Sequence, residues 1–266
     1  MSRPRWALVL SGGAARGAAH LGVLRALTEA ALAPDLVVGV SIGAIVGAAY
    51  CQSGPAALPL LRTVARAIAP EGRLLLTTAR RRALLEEDLG LRGARFDSLP
   101  LPLRVTATAL PTFRRTVFGE SPAPPLVDAV LASSALPFHG PVRLGGTPYY
   151  DGAFAGNLPA LVALRTGYRI LLSVVLGVVF RREEGWRRFL PWKAIDAAGW
   201  AGMRREIRTC RAAGATVLEV YSPAVEAESA FAFECLDKFE EEGYKAASRV
   251  LPSLRSVLAE PGPGAA

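Results

Sequence analysis

Cysteine, histidine and lysine are all scarce in this 266-residue chain, and each scarcity closes off a class of chemistry. The three cysteines, Cys51, Cys210 and Cys235, stand at no paired spacing, which argues against a disulfide scaffold and a cysteine-based zinc cluster alike. With only His20 and His139 to add, neither a metal site nor a cofactor is expected. Long apolar runs are missing too. Ile170 to Phe180 is the longest, is interrupted by Ser173 and Gly177, and is too short to span a bilayer. Trp6 to Leu10 meets Ser11-Gly12-Gly13 too soon to serve as the core of a signal peptide, so a soluble cytoplasmic protein is expected.

What is abundant is apolar content, 51%, with a net charge of +8. Only three of the 31 basic residues are lysine; arginine supplies the rest, and its planar fork suits phosphate. The positive excess lies in residues 1–220, while 221–266 carry four basic and eight acidic side chains. Such a surface suits anionic lipid or nucleic acid. No zinc finger, aromatic RNA-binding pattern or basic heptad repeat is present, and nucleic acid is not an expected partner.

Trp6 to Leu10 predicts a buried strand, followed by a glycine-rich loop, Ser11 to Gly17, and a helix carrying Leu21, Leu24 and Leu27 at helical spacing. Leu36 to Val40 and the small apolar run Ile42 to Tyr50 repeat that plan, which argues for a parallel sheet covered by helices. Further strands are predicted over 103–108, 116–118, 142–144, 170–175 and 216–220, and helices over 57–68, 126–133, 194–212 and 233–251. Residues 1–260 read as one α/β domain and 261–266 as a fraying tail. Two stretches, 70–99 and 181–193, fit neither a strand nor a helix of this plan and read as lids or interfacial segments.

Gly39-Val40-Ser41-Ile42-Gly43 matches G-x-S-x-G between a predicted strand and helix, where a nucleophile elbow exposes its serine. The glycines Gly39 and Gly43 omit Cβ atoms that would clash in that turn, and the helix N-terminus favours developing negative charge. A serine needs a base. No histidine follows residue 139, so either a histidine acts in an unusual chain order or a carboxylate serves the serine directly. Asp151, ahead of Gly152 at the end of a predicted strand, is such a carboxylate, although Asp-Gly alone is also an ordinary turn signal. The loop Gly12 to Gly17 lacks the lysine of a Walker loop, and Ala14 stands where a dinucleotide loop needs its second glycine.

Taken together, these residues resemble the patatin-like phospholipases of the bacterial branch. Gly12-Gly13-Ala14-Ala15-Arg16-Gly17 resembles the family's oxyanion loop, Gly39 to Gly43 its elbow, and Asp151-Gly152-Ala153 its aspartate motif; Ala132 to Pro137 and Asn157-Leu158-Pro159 fit around the aspartate. The resemblance covers about residues 6–176. It implies a three-layer α/β/α fold with a mostly parallel central sheet, and a serine acyl hydrolase acting on lipid esters through a Ser41–Asp151 dyad. It also implies that the N–H groups of Gly13 and Ala14 bind the oxyanion, with Gly12 and Arg16 shaping the loop.

Two departures stand out: Ala14 where many relatives carry a third glycine, and His139 near the aspartate. Arg16 reads two ways, as a phosphate ligand or as a clamp on loop carbonyls, and His20 as structural. A side chain at Gly13 is expected to crowd the acyl carbonyl. The alternatives are a catalytically silent lipid-binding or scaffold protein of the same fold, or an esterase of soluble esters. Peripheral contact with anionic membranes is expected through residues 181–193 together with Leu74-Leu75-Leu76 and Arg80-Arg81-Arg82.

Overall fold

Five-residue runs of fully buried side chains set the centre of the sheet. In the computed structural model, which describes residues 3–69, 76–177 and 191–260, with backbone alone over 191–196, β1 (Trp6–Leu10) and β2 (Leu36–Val40) are buried on both faces. Strands without a polar face need helices on both sides. β1 lies between β2 and β7 (Ile170–Val174), parallel to both, and β3 (Leu103–Ala109) and β8 (Thr216–Val220) extend the parallel set outward. Three antiparallel strands, β4 (Arg114–Phe118), β5 (Val142–Leu144) and β6 (Thr147–Asp151), complete the eight.

One face is covered by α1 (Ala18–Glu29), α2 (Ile42–Ser53), α3 (Ala57–Ile68), α5 (Leu126–Ser133) and α9 (Leu236–Ala259), which share a core with Trp6, Leu8 and Leu10. The other is covered by α6 (Ala160–Arg165) and α7 (Pro191–Ala212), packed on Ala7, Val9 and Val38. The alternation of Leu8 and Leu10 against Ala7 and Val9 is the two-residue period of a strand buried between two layers. A short α8 (Pro223–Glu226) follows β8. α2 and α3, separated by a 3-10 turn at Gly54–Ala56, form one apolar run over Ile42–Ile68 whose buried positions lie mainly in α2.

The predicted bounds of α3 and α5 coincide with those observed. Two others do not. α9 continues through Pro252 to Ala259 instead of stopping at Leu251. Pro252 is exposed, so the Ser248 carbonyl that loses its helical donor faces water and the break is inexpensive. Part of the stretch 70–99 is helical: α4 (Thr78–Ala83) runs into a π turn at Leu84–Asp88. The tail 261–266 and residues 181–190 lie outside the described residues.

The register of β3 positions the site. Val105 and Thr106 pair with β2 on one edge and β4 on the other. β2 ends at Val40 opposite Thr106; from Ala107 onward β6 takes the vacated edge, running the opposite way, with Asp151 opposite Ala107. The last residue of β6 therefore arrives head-on at the first residue after β2, which is Ser41.

Candidate active site

Ser41 sits between β2 and α2 with φ 56° and ψ −125°, a left-handed conformation that costs a non-glycine residue on the order of 1–3 kcal/mol. The flanking glycines permit the tight turn. A Cβ at Gly39 would lie 2.4 Å from the Gly43 carbonyl oxygen, and one at Gly43 would lie 2.5 Å from that of Leu10. The turn is pinned from β3: the Ser41 N–H donates to Ser133 Oγ at 2.9 Å, and that hydroxyl donates to the Thr106 carbonyl at 2.7 Å.

Ser41 Oγ donates to Asp151 Oδ2 at 2.6 Å. The second carboxylate oxygen, Oδ1, accepts the Ala153 N–H at 2.9 Å, an Asx turn that opens the 3-10 turn Gly152–Phe154. The Asp151 backbone is held at both ends, its N–H on the Ala135 carbonyl (2.8 Å) and its carbonyl on the Thr108 hydroxyl (2.7 Å). Asp151 is 2% exposed, and burial lifts its pKa from the ordinary 3.8 to about 6, against the opposing pull of the Ser41 and Ala153 hydrogen bonds and the positive charge of Arg81.

The glycine loop faces Ser41 from the end of β1. Gly12 is clamped by Asn157, whose Oδ1 accepts the Gly12 N–H at 3.1 Å while its Nδ2 donates to the Gly12 and Leu176 carbonyls. The N–H groups of Gly13 and Ala14 donate to none of the described residues, and neither does that of Ile42 at the start of α2. The Gly13 expectation needs correcting. A Cβ there would meet Leu176 and the Arg16 side chain, whereas at Gly12 it would lie 3.1 Å from Ser41 Cβ and 2.5 Å from Asn157 Oδ1. Gly12 is thus the position whose missing side chain clears the serine.

Arg16 is a clamp, but on carbonyls outside the glycine loop. The guanidinium is fully buried and donates to the Gly177 carbonyl (2.7 Å), to Glu226 Oε2 (2.9 Å) and to the carbonyls of Glu226 and Glu228. His20 is buried too, with Nε2 donating to the Ser11 carbonyl at 2.8 Å, and burial lowers its pKa to about 4, so it is neutral near pH 7. His139 is not on the serine; its Nδ1 faces Arg81 Nη1 at 3.2 Å.

An apolar cavity of about 190 Å³ opens beside Ser41, enclosed by Leu21, Val46, Leu61, Leu85, Leu89 and Leu131 among others. Its polar side chains are Ser41, Arg81, Ser134 and His139. The place of Arg81 corrects the basic patch expected at Arg80-Arg81-Arg82. Only Arg80 is exposed; Arg81 turns inward onto Ser134, and Arg82 pairs with Asp128 and Glu86. Leu76 lines the cavity, while Leu74, Leu75 and residues 181–190 lie outside the described residues. Asn157 and Ser133 belong to motifs read from the sequence, but their clamping contacts span 145 and 92 residues and leave no local signal. Among the described residues no group of three His, Cys, Asp or Glu side chains is placed to hold a metal ion.

Comparison with known proteins places this arrangement. Neuropathy target esterase sws of Drosophila melanogaster is 61% identical over 45 residues, a match that covers 17% of this chain and 3% of that protein. The chain therefore spans a small fraction of the curated relatives it matches. Human GIVD cytosolic phospholipase A2 shares the fold, with a TM-score of 0.51 at 13% identity over 96% of this chain and 59% of that one. VipD from Legionella pneumophila gives a TM-score of 0.49 at 13% identity over 95% and 67% of the two chains. The family model for patatin-like phospholipases matches residues 8–164, more than half of the chain and a span that holds both Ser41 and Asp151. On that match, the chain belongs to the patatin-like phospholipase family.

Proposed function

We propose that the protein is a serine acyl hydrolase that cleaves carboxylic esters of lipids, of the phospholipase A or lysophospholipase type, through Ser41 and Asp151. The observation that carries this reading is the 2.6 Å hydrogen bond from Ser41 Oγ to a buried carboxylate at the mouth of an apolar cavity. Asp151 takes the Ser41 proton as Oγ attacks the ester carbonyl. The resulting oxyanion is met by the N–H groups of Gly13 and Ala14, next to the positive end of α2. The tetrahedral intermediate collapses, the ester C–O bond breaks, and Asp151 returns the proton to the departing alcohol. Water, deprotonated by the same carboxylate, then attacks the acyl-enzyme and releases the fatty acid. A carboxylate at about 6 is a better base than one at 3.8 and is still mostly ionised near pH 7.

The cavity supports an acyl chain as the group held on the enzyme, since each buried methylene contributes about 0.8 kcal/mol. Peripheral contact with a lipid surface is part of the proposal. Phe113, Phe138 and Phe154 are 65%, 52% and 55% exposed, and each lies on a loop at the end of the sheet where Ser41 sits.

The test is loss of turnover. Ser41→Ala and Asp151→Asn are each expected to lower esterase activity about a thousandfold or more in a folded protein, while His139→Ala retains much of it. A fluorophosphonate probe should label wild type and not Ser41→Ala. Absence of labelling favours the silent lipid-binding protein, and loss in His139→Ala equal to that in Ser41→Ala favours a serine–histidine pair.

A further inference from the structure

Arg81 is a positive charge set into the wall of an otherwise apolar cavity. It comes from α4, lines the cavity together with Ser41, and donates through Nη2 to both the carbonyl and the hydroxyl of Ser134, at 2.7 Å each. Nη1 faces His139 Nδ1. These contacts use three of the five N–H donors of a guanidinium. No described carboxylate forms an ion pair with it, whereas Arg82 next door has two. Desolvating a cation without an anion is costly, and the cost falls when an anionic ligand arrives. Asp151 is felt only as a field, and burial still lowers the Arg81 pKa to about 10, so the group stays charged at neutral pH.

From this placement we propose that Arg81 is a specificity-determining residue that binds the phosphodiester of a phospholipid or lysophospholipid headgroup while Ser41 attacks the acyl ester. The proposal rests on the hydrolase reading above and narrows its substrate class. In a glycerophospholipid the phosphodiester is only a glycerol backbone away from the acyl carbonyl. A chain in the apolar cavity and a carbonyl at Ser41 leave the headgroup at the polar wall that Arg81, Ser134 and His139 form. Arginine suits the task, because its remaining N–H donors lie in one plane with those already fixed on Ser134.

The experiment compares lysophosphatidylcholine with a monoacylglycerol of the same chain length at about pH 8, above the Asp151 pKa of about 6. In Arg81→Gln, kcat/KM for the lysophospholipid should fall at least about tenfold further than for the monoacylglycerol, and Arg81→Lys should restore most of the difference. Equal losses on the two substrates would overturn the assignment and leave Arg81 as a positioning residue for Ser134 and His139. If Arg81→Gln does not fold, inhibition of wild type decides. Dodecylphosphocholine below its micellar concentration should compete with a soluble ester about tenfold more strongly than dodecyl glycerol ether. Equal potency of those two, or inorganic phosphate competing as strongly as dodecylphosphocholine, would overturn the headgroup assignment. A wild-type protein inert to both lipids and to fluorophosphonate fails the hydrolase reading. A labelled, active enzyme whose substrate ratio ignores Arg81 fails only this one.

Discussion

Arg16 and Arg81 are two cations drawn out of water within reach of the same serine loop, and they end in opposite surroundings. Arg16 meets Glu226 and three backbone carbonyls, from Gly177, Glu226 and Glu228. Glu226 in turn accepts the Gly177 N–H at 2.9 Å, so the glycine loop, the segment after β7 and α8 are locked as one body. Arg81 meets a hydroxyl, a carbonyl and an imidazole, and lines a cavity. A buried cation that finds its anion within the chain is spent on structure; one that does not retains the capacity to bind.

The comparison breaks first on stability. Arg16→Met leaves the Glu226 carboxylate buried without its cation, and a loss of about 3–5 kcal/mol is expected in urea unfolding. Arg81→Met strands no carboxylate, and its loss should be less than half as large. Equal losses would mean that both arginines are latches.

Asp151 sharpens the contrast, because Arg81 only partly offsets the cost of burying its charge. Burial raises its pKa from 3.8 to about 6, so the native state holds this proton more tightly than the unfolded chain does. The favourable contribution of the protonated form is therefore full below about pH 4 and is lost as pH rises through about 6. Asp151→Asn removes the ionisation and should stabilise the fold by on the order of 2–3 kcal/mol at about pH 8, and by little at about pH 4, measured as the difference in urea midpoints. A difference independent of pH would mean that the carboxylate titrates at its ordinary value. The expected gain opposes the expected loss of activity, as when a charge is kept buried for chemistry.

The halves of the site differ in how far the sequence reveals them. The elbow is local: a buried strand, two glycines and a small apolar helix appear consecutively, and the close approaches of Gly39 and Gly43 require glycine whatever surrounds them. That Asp151 meets Ser41 depends on β6 occupying the edge of β3 that β2 vacates, a pairing between distant segments that no local pattern encodes. The arginine triplet misleads for a helical reason. Successive residues on a helix point about 100° apart, so three adjacent arginines fan out to solvent, to the cavity wall and to Asp128. Composition alone reads them as one patch. Arg16 was open to both readings because its anion lies 210 residues away.

The smallest expected effect concerns what the Arg16 latch holds in place. Ala14 has φ 49°, a left-handed value that glycine adopts without strain and alanine at a cost of about 1–2 kcal/mol. The next residue is tied down, the Ala15 N–H donating to the Ala230 carbonyl at 2.8 Å, and Arg16 anchors the far side of the turn. Ala14→Gly relieves the strain but loosens the unfolded chain, so a net gain of about 0.5–1 kcal/mol is expected. If the latch is what imposes the strain, the gain should shrink toward zero in an Arg16→Met background, where the loop is free to relax. Chemical denaturation of the two single variants and the double variant measures this coupling. An undiminished gain would place the source of the strain in the Ser11–Gly13 turn instead, and Arg16 would then hold the loop without shaping it.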